Sequence, residues 1–395
     1  MGELQQLRFG DLGQLFDGPH ATPTRVTEGP YFLNIASLKS GRLDLSESDH
    51  VSDDDFAKWT KRVTPRENDL LFSYETRLGE AALMPGWIVG CLGRRMALLR
   101  PDLSIVDPRF LLYYYLSPKF QQTIAMNTIH GATVPRIGLA TMPDWSVELP
   151  DLPTQRAIAE VLGALDDKIA ANERVVATSL SLVRTEFRDA CMDGQALRLG
   201  DVTELVTRGA APSYVDEGGM IVLNQKCVRD QLVSLAPARR TTESARRVER
   251  TLQVNDVLVN STGMGTLGRA ARWTDTAIAT ADSHMTIVRF DRGLVSQECG
   301  GYAVLAIEDQ IEGLAEGSTG QTELRRELLQ GLTIQVPQPG DQLRLSERIR
   351  VVDDLVMATS MESAALARTR DQLLPVLMSG KLSVDAAETR GSERL

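Results

Sequence analysis

Between residues 154 and 190, apolar side chains recur at alternating steps of four and three. They are Ile158, Leu162, Leu165, Ile169, Val176, Val183 and Phe187, and Asn172 and Ser179 fill the two polar places of the series. This is a heptad seam. A second seam runs through Leu345, Ile349, Val352, Val356, Leu366, Leu373 and Leu377, and Thr359 stands where Asn172 stood. Each seam predicts a helix of roughly 35 residues, about 50 Å long at about 1.5 Å per residue. Thr154 is the expected cap of the first helix, with Pro153 just outside it. Pro375 is expected to end or kink the second near Leu374. The second half of the chain begins where the first helix ends, and the second helix leaves from that half. If the seams pair, the pair must therefore be antiparallel, a ruler between two globular halves. The alternative is that each stripe lies only on its own half, but stripes this narrow and long favour pairing.

The segments before each helix read as mixed α/β with many short strands. Asp69–Ser73, Val257–Asn260 and Met285–Arg289 have strand character. Arg109–Leu116 and Gly300–Ile307 read better as short helices. The chain is also written twice. Leu7-Arg-Phe-Gly-Asp-Leu12 returns as Leu197-Arg-Leu-Gly-Asp-Val202, and Asn68-Asp-Leu-Leu71 returns as Asn255-Asp-Val-Leu258. Gly131-Ala-Thr133 matches Gly317-Ser-Thr319, Gln155 matches Gln342, and Asp166-Asp167 matches Asp353-Asp354. The matches stay in order at a nearly constant offset, which chance does not supply. Between these anchors the halves differ freely, so one scaffold carries two different surfaces.

The net charge of −10 argues against nucleic acid if taken alone. A sum says nothing of distribution, however, and a basic face can sit on an acidic molecule. Basic residues do cluster, at Lys58, Lys61, Arg62 and Arg66, at Arg94 and Arg95, and at Arg239, Arg240, Arg246, Arg247 and Arg250. No apolar run approaches the roughly 18 residues that a bilayer requires, so no membrane association is expected. The N-terminus carries no signal-peptide pattern. Cys91, Cys191, Cys227 and Cys299 are far apart and form no paired motif, which points to a reducing cytoplasm.

Residues suited to catalysis are scarce. Gly263-Met-Gly-Thr-Leu-Gly268 fits a dinucleotide fingerprint in letters, but residues 269–275 make a poor helix opener, so a glycine-rich hairpin is the better reading. His20, His50, His130 and His284 have no metal-ligand spacing. Asp282-Ser-His284 holds triad letters in a row, whereas triads assemble in space. Asp107-Pro-Arg-Phe110 reads as a helix start rather than a methylase motif. No catalytic and no metal site is expected.

Leu149-Pro-Asp-Leu-Pro-Thr-Gln155, Ile158-Ala-Glu-Val-Leu162 and Leu165-Asp-Asp-Lys-Ile169 resemble the central region of Type I restriction–modification specificity subunits. Leu374–Leu382 resembles the usual helix ending of that family, and Gly317–Gln321 its Gly-Ser/Thr-Thr segment. The second copy departs from the pattern at Val336-Pro-Gln-Pro339, and its Asp353-Asp-Leu-Val356 lacks the lysine.

The resemblance implies two pseudo-repeated α/β target recognition domains, at 1–150 and 195–337. They are separated by long antiparallel coiled-coil helices at 151–194 and 338–381, and a flexible tail comes last, at 382–395. It implies a non-catalytic subunit that recognises a split DNA sequence and docks two adenine methyltransferase subunits, with a motor-nuclease subunit as a further partner. No cofactor is expected in this chain, because S-adenosylmethionine and ATP belong to the partner subunits. Two alternatives remain, a recognition subunit of a related bipartite restriction system and a non-catalytic coiled-coil adaptor. Base edges call for Arg, Lys, Asn, Gln, Ser or Thr. The residues expected beside the repeated loops are Thr133, Arg136, Gln321 and Arg325, and the phosphate candidates are Lys61, Arg62, Arg246 and Arg247.

Overall fold

A computed structural model describes residues 4–131, 134–263, 265–314 and 323–380. Thr133, Gln321 and the tail at 382–395 lie outside the described residues. Two compact units divide the chain, Met1–Asn172 with Met361–Leu395, and Glu173–Ser360.

In the first unit, the strand Gln5–Arg8 pairs antiparallel with Ser146–Leu149 and ties the two ends of the globular half together. Its main sheet has four antiparallel strands in the order Gly13–Asp17, Met96–Pro101, Leu70–Ser73 and Ala81–Leu83. Leu70, Leu71, Phe72, Ala97, Leu98 and Leu99 are fully buried, so the central strands face apolar cover on both sides. Asp107 caps the helix Pro108–Leu116, accepting from Phe110 N at 3.0 Å. Proline stands at its first position, where no N–H is needed. The second unit repeats this plan. Gln195–Arg198 pairs with Thr333–Val336, and its sheet runs Thr203–Arg208, Met285–Phe290, Val257–Asn260 and Ala270–Arg272. The strands on either side of the glycine-rich segment, Val257–Asn260 and Ala270–Arg272, pair antiparallel, as a hairpin requires.

The long helices are Leu152–Ala190 and Pro339–Met378. In the first unit, Ile158, Ala159 and Leu162 share a buried cluster with Leu373, Leu377 and Met378. Asp166 accepts from Arg370 Nη1 at 2.6 Å, and Asn172 donates to Glu362 at 2.7 Å. Ascending positions on one helix thus meet descending positions on the other, so the segments run antiparallel. In the second unit, Val183 and Phe187 pack with Leu345, Ile349 and Val352. Ile169 and Leu366 are also buried, whereas Leu165, Val176 and Val356 are half-buried.

Two sequence expectations about the helix ends change. Thr154 does not cap the first helix. The helix begins at Leu152, and Asp151 accepts from Thr154 N at 3.0 Å. A proline fits inside the first turn, which moves the cap back to the carboxylate before it. Pro375 does not stop the second helix, which continues to Met378. It stands on the exposed face of the last turns, where water can satisfy the freed carbonyl, and the buried Leu373, Leu377 and Met378 pin the backbone around it.

The repeated motif residues fasten each helix to its own globular half. Gln155 is buried. It donates to Ile105 O and Pro150 O and accepts from Asp107 N. Gln342 likewise donates to Pro337 O and accepts from Ser296 N. Asp166 accepts from Tyr113 Oη at 2.7 Å, and its counterpart Asp353 holds both terminal nitrogens of Arg272, at 3.1 and 2.7 Å.

Candidate nucleic-acid interface

Ser52 caps the short helix Asp53–Trp59, whose first turn is acidic and whose last turn carries Lys58. This fits the helix dipole. Lys61 and Arg62 come just after it, and both are exposed. Arg62 pairs with Asp17 at 2.5 Å while its side chain stays 63% exposed, so the pair is weak and can be exchanged for a phosphate. Arg136 is exposed on the strand Arg136–Ile137, which pairs with Thr128–Ile129. Arg325 is exposed just before the helix Arg326–Gly331.

Arg246 and Arg247 sit side by side on the helix Ala245–Val248 but face opposite ways. Arg246 is exposed. Arg247 is buried, and its guanidinium donates to Ala211 O, Thr242 O, Thr242 Oγ1 and Ser213 Oγ. The structure therefore removes Arg247 from the phosphate candidates, because its donors already hold the chain's own backbone. Arg250 is similarly engaged with Gly209 O at 2.7 Å, and Arg239 stacks on the Tyr214 ring at 3.5 Å. We expect Arg246→Ala to weaken binding to any duplex and to reduce the slope of log affinity against log salt by about one. Arg247→Ala should instead destabilise the fold by about 2 kcal/mol, through the loss of several hydrogen bonds from a charged, buried donor. Salt titrations and denaturation of the two variants separate these outcomes, and equal salt slopes for both would contradict the assignment.

Sequence reasoning noted Arg94 and Arg95 as a charge cluster but gave them no role. They line an open cleft of about 590 Å³ together with Arg25, Asn34, Ser48 and Asp49. The signal was present in the charge, but its placement depended on strand register.

Among the described residues, no group of three or more His, Cys, Asp and Glu is placed to hold a metal, and no helix is long and apolar enough to cross a membrane. Burial pushes the Cys91 thiol up to about 12 and the Cys191 thiol up to about 11, so neither is a ready nucleophile.

Residues 7–177 match the family model of the Type I restriction modification DNA specificity domain. The MjaX type I restriction enzyme specificity subunit of Methanocaldococcus jannaschii, a putative assignment in its own name, is 21% identical over 384 residues, covering 89% of this chain and 86% of that protein. The chain is thus similar to Type I restriction–modification specificity subunits over most of its length. The HindI specificity subunit of Haemophilus influenzae is 26% identical over 174 residues, covering 42% of this chain and 36% of that one. The crystal structure of a Type I restriction–modification S subunit from M. genitalium matches with a TM-score of 0.60 at 14% identity. That match covers 95% of this chain and 96% of the other. The mixed α/β fold with two packed long helices is thus the fold of that S subunit, as the sequence led one to expect. The specificity subunit is the non-catalytic, DNA-target-recognising member of its system.

Proposed function

We propose that each globular half of this specificity subunit reads one part of a bipartite, asymmetric DNA site. The paired helices set the gap between the parts and dock two adenine methyltransferase subunits. The division of labour is a recognition domain at 1–150, a helix at 151–194, a second recognition domain at 195–337 and a second helix at 338–381. S-adenosylmethionine and ATP act on the partner subunits, which are the methyltransferases and a motor-nuclease where one is present, and the assembly works in the cytoplasm. Phosphate contacts come from Lys61, Arg62 and Arg246, and Thr133, Arg136, Gln321 and Arg325 lie near the bases.

One observation carries this reading. A single scaffold is repeated with closely matching strand registers, yet its exposed polar side chains differ between the copies. An adaptor that bound one kind of protein twice would have no use for that divergence, whereas a reader of an asymmetric duplex requires it.

The test is methylation mapping of the genome with and without this gene. We expect one gapped adenine-methylation motif to vanish on deletion and to return with the gene. A genome that keeps all its gapped motifs after deletion would leave the adaptor reading as the better one. Loss of a motif together with cleavage on both sides of the site would favour the related bipartite system.

A further inference from the structure

The duplication lets one half be laid on the other residue by residue. Leu71 faces Leu98 as Leu258 faces Ile287, and Asp17 faces Ala97 as Arg208 faces Thr286. The same backbone bonds recur beyond the ends of the central strands. Tyr74 N donates to Arg95 O at 3.1 Å, and Ser261 N to His284 O at 2.9 Å. Ile137 N donates to Tyr74 O at 2.8 Å, and Leu324 N to Ser261 O at 2.9 Å. Glu75 bridges to Arg136 as Thr262 bridges to Glu323. Thr76 and Gly263 occupy the same turn position, with φ of 72° and 101°. Each half therefore ends in the same rim, made of the turn after one central strand, the turn before the other, and the residue at 136 or 323.

The side chains on that rim do not repeat. Asp17 becomes Arg208, Glu75 becomes Thr262, and Arg136 becomes Glu323, while Arg94-Arg95 becomes Ser283-His284. Inside the rim the character is kept, with Gly18 matching Gly209, Ala81 matching Ala270 and Met96 matching Met285. The rim groups are also held in place. Arg95 lies at φ 72°, a strained position for a side-chain-bearing residue, with its guanidinium 3.2 Å from Glu75 and 3.3 Å from Thr76 Oγ1. In the second half, His284 Nδ1 shares a 2.7 Å hydrogen bond with Thr262 Oγ1, and Arg208 pairs with Glu323 at 2.7 Å. Arg94 and Arg136 are exposed and make no ion pair among the described residues.

We propose that this rim is the base-reading surface of each half. Arg94 and Arg95 read guanine in the first half-site through the two acceptors on its major-groove edge. Thr262, Ser283, His284 and Glu323 read a different set of edges in the second. The assignment rests on the DNA-recognition reading above and gives it an address. Fixed backbone with exchanged polar side chains is what a reader needs, because position must hold while the donor and acceptor pattern changes. Solvated loops free to drift would not keep the same bridges and backbone hydrogen bonds.

The test uses the full chain with its modification partner and three duplexes, namely the native site, one with the first half-site scrambled and one with the second scrambled. Arg94→Lys with Arg95→Lys keeps the charge and removes the planar fork. We expect it to lose roughly ten-fold or more in affinity for the native site. Affinity for the duplex scrambled in the first half-site should not change, and discrimination at the second should survive. His284→Ala with Thr262→Val should give the mirror result, confined to the second half-site. Undiminished discrimination in the lysine variant overturns the assignment, and so does an equal loss on all three duplexes, which would mark phosphate contacts or misfolding. If the unmodified protein failed to distinguish the duplexes, the recognition reading itself would fall, and this address with it.

Discussion

Seven residues inserted into the first long helix alone, after Glu173, should abolish methylation at the native site. The loss should be at least about a hundred-fold, since misplacement by about one ångström can already cost that much. One heptad advances a helix by roughly 10 Å and returns the seam to nearly the same face. The inserted protein can therefore still bury its apolar stripe. It cannot keep both sets of partners. The first helix contributes its start to one unit and its end to the other, and the second helix does the same in reverse. Lengthening one helix opposes a longer stretch to an unchanged one, so Asp166 with Arg370 and Glu186 with Arg348 cannot both be retained without looping residues out. Matched insertions after Glu173 and after Ser360 should restore both sets. If the helices set the gap, the restored protein should methylate a site whose gap is longer by about three base pairs, from about 10 Å at about 3.4 Å per pair. Methylation mapping in cells reads both results. Full activity at the original gap in either variant would sink the ruler.

The second large effect concerns Arg272. Its side chain is 4% exposed and holds Asp353 on the second long helix through two bonds, with Asn255 beside it and the Tyr302 ring 5.0 Å away. Glu298 completes the group, accepting from Arg350 at 2.7 Å and from Asn255 at 3.2 Å. Arg272→Ala should destabilise the second unit by about 3 kcal/mol, because it strands a largely buried carboxylate without its cation. That far exceeds the few tenths expected for an exposed pair such as Arg344 with Asp341. The pH dependence has a defined sign. Burial already raises the Asp353 carboxyl above its ordinary value, in spite of Arg272. Without the arginine the folded state holds that proton more tightly still. The variant should therefore recover stability as pH falls toward the ordinary carboxylate range and lose it as pH rises. Arg272→Met with Asp353→Leu should regain most of the loss, since apolar replacement of a buried pair is often neutral. Denaturant melts at two pH values test this. A single-variant loss below about 1 kcal/mol would mean that the network does not fasten the helix.

The longest elements were the most legible in the sequence. A heptad stripe repeated over four turns or more has one economical burial, and Ile158, Leu162, Leu345 and Ile349 are indeed buried. The motif residues Gln155 and Asp166 could be recognised as a pattern, but their work could not. Only the fold brings Gln155 to the backbone of residues 105 and 107, and Asp166 to Tyr113 and Arg370. The helix ends were misread for a local reason. Thr154 and Asp151 are both good caps, and which one serves depends on whether the proline between them enters the first turn.

The amino-acid sequence by itself determined the duplication, the two long helices, the antiparallel sense that their pairing would require, the mixed α/β class and the family resemblance. Those properties come from order and period along one chain. The tertiary structure alone decided which charges are available. Arg246 and Arg247 are neighbours in sequence and identical in chemistry, yet one meets solvent and the other meets four acceptors from segments 5 to 36 residues away. It also decided that Arg95 and His284 are counterparts, a pairing that no letter match could find. Side-chain direction and strand register arise from contacts between distant segments, and a linear pattern does not carry that information.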